Sequence, residues 1–197
     1  KKNLLHIIKF KMPEGPEIRR AADRIKKALV GSEIIESVFY YERIKDKAKI
    51  LKNKNIKEVT SQGKALLIRF ENGWSMYSHN QLYGRWTVNL KSTQIKSNRS
   101  LRVLFRTNKH TVRLWSATDI ELIKTTEECN HKFLKRIGPD VLNESCSTKL
   151  IEERLVSKSY QKKKASTLML DQSLLAGLGN YLRSEILFDA KIHPDDR

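Results

Sequence analysis

Six short segments rich in β-branched and aromatic residues constrain the fold of this chain more than any other feature of its sequence. Between two of them, Glu71-Asn72-Gly73 supplies a hairpin turn, because Asn-Gly readily adopts the positive φ angles of tight turns. Several short strands at such close spacing predict a β-sandwich or a β-barrel. The predicted strands span Ile34 to Tyr41, Ala65 to Phe70, Trp74 to Ser78, Arg85 to Val88, Leu101 to Arg106 and Thr111 to Trp115.

Helical patterns lie on both sides of these strands. A helix is predicted from Pro16, because Pro and Glu suit a first turn, apolar residues recur on one face and Gly31 follows as a stop. Farther along, Ser147 is a suitable N-cap and Leu168 to Leu175 forms a second apolar stretch. Another amphipathic helix is predicted after a glycine-containing turn.

The change to a helical pattern after Thr118 divides the chain into two predicted domains. We expect a β-rich N-terminal domain at residues 13–133 and a helical domain at residues 137–197, which would be incomplete. Residues 1–11 are expected to be an upstream extension that is not native. The predicted fold class is α+β, a sandwich with flanking helices followed by helices.

Basic residues outnumber acidic ones, 39 Lys and Arg against 22 Asp and Glu, for a net charge of +17. This surplus indicates a polyanionic partner, with nucleic acid favoured and an anionic membrane surface as the alternative. No stretch approaches the roughly 18 apolar residues of a membrane span, so we expect a soluble cytoplasmic protein. Cys129 and Cys146 form no CxxC pair, and no metal site is expected within this chain.

The run from Met12 to Glu17 contains candidate catalytic residues. If translation begins at Met12 and the methionine is removed, Pro13 has a free secondary amine. The pKa of α-amino groups is about 8, so a useful fraction is uncharged and nucleophilic at neutral pH. Attack on a sugar C1′ gives an iminium ion that labilises the C2′ proton, with Glu14 in reach as proton donor and acceptor. The alternative is a turn and helix start on a solvated surface.

Two further segments contain residues suited to act on a nucleotide that has been flipped out of the DNA helix. Lys64 follows a glycine at the entrance to a predicted strand, where a lysine can shuttle protons, although most lysines of so basic a chain lie on the surface. Residues 78–84 place polar, apolar and aromatic side chains in a row, Gln81, Leu82 and Tyr83 among them. Such a loop suits filling the gap that a displaced base leaves, and a plain hairpin tip is the alternative.

The fourth segment, residues 170–182, contains two glycines directly before a predicted helix. Glycines there let backbone N–H groups approach a phosphate, and Asn180 can donate an amide hydrogen bond to it. A glycine turn between two helices is the alternative.

In this order, the four segments resemble the formamidopyrimidine-DNA glycosylase and endonuclease VIII family, over essentially Met12 to Arg197. Residues 77–83 look like the endonuclease VIII branch, which implies oxidised pyrimidines as substrates, whereas residues 188–194 are closer to the other branch. The resemblance implies a β-sandwich and a helix-two-turn-helix domain with damaged double-stranded DNA in the cleft between them. It further implies a base-excision-repair glycosylase and AP lyase, expected to be a monomer.

The resemblance also implies roles for individual residues. Pro13 matches the Schiff-base nucleophile, Glu14 the proton donor for base release and Lys64 the proton donor for β-elimination. Gln81, Arg136 and Asn180 match DNA-contacting positions of the family, and Glu185 matches an acidic position near the bound lesion. Leu82 and Tyr83 are expected DNA contacts from the character of their loop.

Two departures from the family pattern bear on these expectations. The family usually ends in a four-cysteine zinc finger that assists δ-elimination; a structural zinc is expected only in that segment, and the chemistry itself needs no cofactor. With Lys1 to Lys11 attached, the nitrogen of Pro13 is an amide and cannot form the iminium. The alternative is then a catalytically silent DNA-binding module, while a basic ribosome-associated or membrane-surface protein explains the charge alone.

Overall fold

The computed structural model describes residues 12–52 and 54–197, so the expectation about residues 1–11 lies outside the described residues. Its helices and strands, with two additional 3-10 turns at Lys47–Leu51 and Thr125–Asn130, are as follows: α1 (Gly15–Leu29), β1 (Glu36–Phe39), α2 (Glu42–Lys45), β2 (Ile56–Gln62), β3 (Ala65–Phe70), β4 (Trp74–His79), β5 (Arg85–Leu90), β6 (Leu101–Arg106), β7 (His110–Trp115), β8 (Asp119–Lys124), α3 (Thr148–Leu155), α4 (Ala165–Leu168) and α5 (Asn180–Asp189).

The strands form two four-stranded antiparallel sheets, in the orders β1-β6-β7-β5 and β2-β3-β4-β8. Alternate side chains of each sheet enter a shared core, in which Ile68 of β3 and Val112 and Leu114 of β7 are fully buried. Two separate sheets make this part a sandwich and not a barrel, and the predicted α+β class is confirmed.

The sequence of helix α1 explains its buried face and both of its ends. Its apolar stripe, which includes Ile18, Ile25 and Leu29, is buried against the core. Glu14 and Glu17 form a reciprocal capping box at the N-terminus, and Gly31, with φ +74°, follows the C-terminus. The predicted helix and its stop are confirmed, with the start one residue earlier than Pro16.

The second face of the β2-β3-β4-β8 sheet is also covered. Leu67 of β3 and Tyr77 of β4 are fully buried there against Leu134, with Phe133 and Ile137 packed around them. The chain therefore crosses this face before it enters the helical part, which brings the helices to the end of the sheet that carries the turn between β2 and β3.

In the helical part, the Ser147 hydroxyl accepts a hydrogen bond from Leu150 N at 3.2 Å, which confirms the predicted N-cap of α3. The helix predicted after the glycine turn is confirmed as α5. The apolar stretch Leu168 to Leu175, which belonged to the predicted helical pattern, is not helical beyond its first residue: α4 ends at Leu168, and Leu174 packs from a turn into the small core of this part. The apolar residues of this stretch are buried by tertiary packing, although most of them are not in a helix.

Two strands were not predicted. β8 (Asp119–Lys124) lies where a helical pattern was expected, although its buried Ile120 and Leu122 alternate with more exposed residues as a strand requires. β2 carries several polar residues because it is an edge strand, and only Ile56 and Val59 are buried. The predicted β1 was too long at both ends.

Within residues 12–52 and 54–197, no helix combines the length and apolarity needed to cross a bilayer. The same residues place no three His, Cys, Asp or Glu side chains together as metal ligands, and Cys129 and Cys146 are free thiols. The division at residues 133 and 137 stays a prediction.

Candidate functional site

The site lies where the N-terminal strand-rich part meets the helical part, and backbone contacts hold the two together. Gly15 N donates to Gly177 O at 2.8 Å, and Gly63 N donates to Asp140 Oδ2 at 2.7 Å. A Cβ on Gly15 would lie 3.0 Å from Gly177 Cα, so this approach needs glycine. Three of the four segments singled out in the sequence therefore converge at one place.

The Glu14 carboxylate is the centre of this junction. Glu14 is only 4% exposed, its Oε1 accepts from Tyr181 N at 2.9 Å and its Oε2 from Leu182 N at 3.3 Å. These N–H groups belong to the first turn of α5, whose helix dipole favours a negative charge. The beginning of α5 thus holds a carboxylate from a residue far away in sequence.

Glu17 and Tyr181 form a second layer around Glu14, which the sequence analysis did not anticipate. The Tyr181 hydroxyl donates to the Glu17 carboxylate at 2.9 and 3.0 Å, and Glu14 N donates to the same carboxylate at 3.0 Å. Burial, followed by the effect of Glu17, raises the pKa of Tyr181 to about 12, so the phenol stays a donor at neutral pH. Glu17 at position N3 of the capping box was the available signal.

Lys64 lies at the same junction, directly after Gly63 and before β3. Burial lowers the pKa of Lys64, and the nearby Glu14 carboxylate partly offsets this. His79, at the end of β4, is close enough to respond to Lys64: burial lowers the pKa of His79, and the lysine charge lowers it further, against the effect of Asp119. Lys64 is therefore an ammonium whose proton is held less tightly than usual.

Pro13 and Glu17 both line a cleft of about 450 Å³. The cleft is lined by α1 residues, including Arg20 and Arg24, and by the turn after β4, including Leu82 and Tyr83. The cleft thus combines arginines, four in all with Arg85 and Arg99, with apolar and aromatic side chains of the turn. A cleft of this kind can accept a sugar-phosphate beside the nitrogen of Pro13.

The three residues of the β4–β5 turn differ in their contacts. Gln81 has φ +49°, an uncommon left-handed backbone, and its side-chain oxygen accepts from the Thr118 hydroxyl at 2.9 Å. Leu82 and Tyr83 are 43% and 58% exposed. Two large side chains thus project into solvent from a fixed turn, as an element that inserts into a partner would require.

The remaining predicted residues lie at the rim of this junction. Asn180, at the N-terminus of α5, is exposed. Arg136 is exposed and its Nε donates to Lys132 O at 2.9 Å. Glu185 is exposed one turn beyond Tyr181, on the same side of α5. Glu14, the neighbour of Pro13 in sequence, lies within electrostatic reach of Lys64. The side chains of Asn180, Arg136 and Glu185 are accessible to a ligand.

Comparisons with known proteins match both parts of the chain. Residues 12–119 match the formamidopyrimidine-DNA glycosylase N-terminal domain, and residues 137–197 match the formamidopyrimidine-DNA glycosylase H2TH domain. The chain is 44% identical over 177 residues to endonuclease 8 of Shigella flexneri serotype 5b, which covers 90% of this chain and 67% of the relative.

Solved structures give the same result. Lactococcus lactis formamidopyrimidine-DNA glycosylase, non-covalently bound to DNA containing an AP site, superposes with a TM-score of 0.75 at 25% identity, over 93% of this chain and 70% of that one. The same L. lactis protein in complex with DNA containing an oxidised pyrimidine gives 0.74 at 25% identity, over 94% and 71%.

Proposed function

Since the chain belongs to the formamidopyrimidine-DNA glycosylase family, we propose that it is a DNA glycosylase and AP lyase of base-excision repair. Its substrate is damaged double-stranded DNA, which binds in the cleft beside Pro13. The protein acts as a monomer. The observation that supports this most is the placement of Glu14, which is buried next to Pro13, held by α5 and within electrostatic reach of Lys64.

The proposed chemistry begins at Pro13 when its nitrogen is a terminal secondary amine. The nitrogen forms a bond to C1′ of the damaged nucleotide while the bond from C1′ to the base breaks. The proton released by the amine passes through the Glu14 carboxylate to the departing base. Opening of the sugar then breaks the C1′–O4′ bond, O4′ takes a proton from water, and the nitrogen lone pair completes a C1′ iminium on Pro13.

Strand cleavage follows from the iminium. The cation acidifies C2′–H, water takes that proton as the C1′–C2′ enamine forms, and the enamine electrons then break the C3′–O bond, which expels the phosphate and restores the iminium. Lys64, with its lowered pKa, is the proposed proton donor in this β-elimination. A second cleavage by δ-elimination is not proposed for the residues of this chain.

The DNA contacts are proposed from the accessible residues of the cleft. Gln81, Leu82 and Tyr83 occupy the space of the flipped nucleotide, Arg136 and Asn180 bind phosphates, and Glu185 lies near the lesion. No cofactor is needed for these steps. A structural zinc does not fit the described residues, among which no ligand group is placed for one.

A binding module without catalysis is the second proposal, and the sequence supplies the observation for it. Pro13 follows Met12 in the chain, and a proline nitrogen in a peptide bond cannot form an iminium. The basic cleft and the start of α5 would still bind DNA in that case.

The proposed substrate is an oxidised pyrimidine, because the β4–β5 turn is similar to the endonuclease VIII branch. With the form that begins at Pro13, we expect faster base release from a duplex with one oxidised pyrimidine than from a duplex of the same sequence with one formamidopyrimidine purine. Single-turnover rates measure this. A duplex with a preformed abasic site is the positive control, and a reversed preference would contradict the substrate class without affecting the proposed enzyme class.

Leu82 is expected to assist base flipping, because it is exposed on a fixed turn beside the cleft. Replacing Leu82 by Ala should slow base excision about tenfold while cleavage of a preformed abasic site changes less, since displacing a base costs a few kcal/mol and an abasic site has none to displace. Leu90→Ala is the matched control, as Leu90 is 61% exposed at the end of β5 that lies away from the β4–β5 turn. Equal losses on both substrates would favour a structural role for Leu82.

A further inference from the structure

Charge is distributed unevenly over the β1-β6-β7-β5 sheet. From Asn72 to Thr118 the sequence has no Asp or Glu but contains eight Lys and Arg residues. Strands β5, β6 and β7 all lie within this stretch. In a chain with 22 acidic residues overall, strands β5, β6 and β7 thus carry basic charges only, and the acidic residue of this sheet is Glu36 on β1.

The strand register brings part of this charge onto the outer face of the sheet. Arg106, Thr111 and Asn89 lie opposite one another in one row across β6, β7 and β5. Phe105 and Val112, the neighbours in sequence, are fully buried in the core. Because side chains alternate along a strand, the row points away from the core.

Arg113 occupies the next row of the same face. It lies opposite Leu104 on one side and Thr87 on the other, diagonally next to Arg106. Burial lowers the pKa of Arg113, and the charge of Arg106 lowers it further, so the two guanidinium groups are close enough to repel each other. Glu36 contacts Arg106 through Nη1, opposite it on β1.

Several donors on this face have no hydrogen-bond partner among the described residues. They are the buried Nε of Arg106, the buried Nη1 of Arg113 and the buried hydroxyl of Thr111. These atoms are themselves out of reach of a ligand, so an anion would contact the solvent-accessible parts of the two half-buried arginine side chains, and Arg106 is 35% exposed. Guanidinium groups match the oxygens of a phosphate in a planar, bidentate way.

We propose that this outer face, defined by Asn89, Arg106 and Arg113, binds phosphate groups of a nucleic-acid strand outside the cleft. The face is continuous with the cleft, because Arg85, which lines the cleft with Pro13, lies opposite Trp115 at the other end of β5 and β7. Leu104 and Trp115 are 6% and 7% exposed, so the face offers a strand no large apolar surface. Binding there is independent of sequence, since phosphate contacts hold no base information.

This inference extends the proposed function, but it does not depend on Pro13 chemistry. The test compares wild type with Arg106→Gln/Arg113→Gln in binding of an undamaged 30-bp duplex over a range of salt concentrations, by fluorescence anisotropy. Loss of two phosphate contacts should reduce the slope of log K against log salt by about 2. Arg43→Gln/Lys47→Gln, the same charge change at exposed positions outside the sheet, is the matched control and should reduce it less.

Three additional measurements keep the result interpretable. Thermal unfolding checks that the double variant folds, and Arg113→Lys, which keeps the charge, should retain most of the wild-type slope. Inorganic phosphate, compared with chloride at equal ionic strength, should raise the Tm of wild type more than that of the double variant.

Equal loss of slope in the test and control variants, or no loss in either, would overturn the proposal. Protection by inorganic phosphate with an unchanged duplex slope would mean a site for a free oxyanion instead of a strand, which also overturns it. So would binding to phosphatidylserine vesicles that the double variant loses while duplex binding persists. Borohydride trapping on abasic DNA is a separate readout of the proposed lyase, so failure of either proposal is distinguishable.

Discussion

Replacing Gly179 by Ala is expected to reduce base excision by about 10²-fold or more, the range lost when a positioned general acid-base group is removed. The physical reason is steric. A Cβ at Gly179 would lie 2.4 Å from both Cδ and Oε1 of Glu14, so the carboxylate must leave the N–H groups of Tyr181 and Leu182. Gly179 has φ −142°, which any residue adopts, so the backbone itself contributes no strain.

The measurement is single-turnover base release from a lesion-containing duplex, with the form that begins at Pro13. Glu14→Gln is the reference variant, because it keeps the size of the side chain and removes its proton chemistry. Gly31→Ala is the matched control: Gly31 has φ +74° and open space around it, so that variant should lose about 1 kcal/mol of stability and keep its activity. Full activity of Gly179→Ala would show that the position of Glu14 does not control base release.

The regular parts of the fold were predictable because local patterns and tertiary packing agree there. β3 and β6 have their predicted bounds, and α1 has its apolar stripe, cap and stop. β8 was not predicted because it begins with Asp119 and ends with Lys124, and only two buried residues between them show the alternation of a strand. The stretch after α4 has the apolar content of a helix because its turn residues pack into a small core, and apolar content alone does not distinguish the two.

The sequence identified the segments that contain the candidate site, but not how these segments contact one another. Pro13, Glu14 and Lys64 stand out by residue type and local context, yet nothing local indicates that α5 binds Glu14 through Tyr181 N and Leu182 N. The contact joins residues 167 positions apart. The glycines that permit it, Gly15 and Gly177, are explained only by the backbone that each one approaches.

The central claim is that Pro13 is the nucleophile, and it requires a terminal secondary amine. Two forms of the chain separate chemistry from binding: one that begins at Pro13 and one with residues 1–12 attached. The cleft and the α5 contact with Glu14 do not involve a free amine, so both forms should bind abasic DNA with similar affinity. Pro13→Gly in the short form, still a terminal but primary amine, should retain partial lyase activity.

Borohydride trapping on a duplex with a single abasic site is the most direct measurement. We expect the form that begins at Pro13 to give a stable covalent adduct that peptide mapping assigns to Pro13, and the extended form to give none at that residue, because an amide nitrogen cannot form the iminium. Trapping of the extended form at undiminished yield, with the adduct mapped to Lys64 or another lysine, would contradict the account.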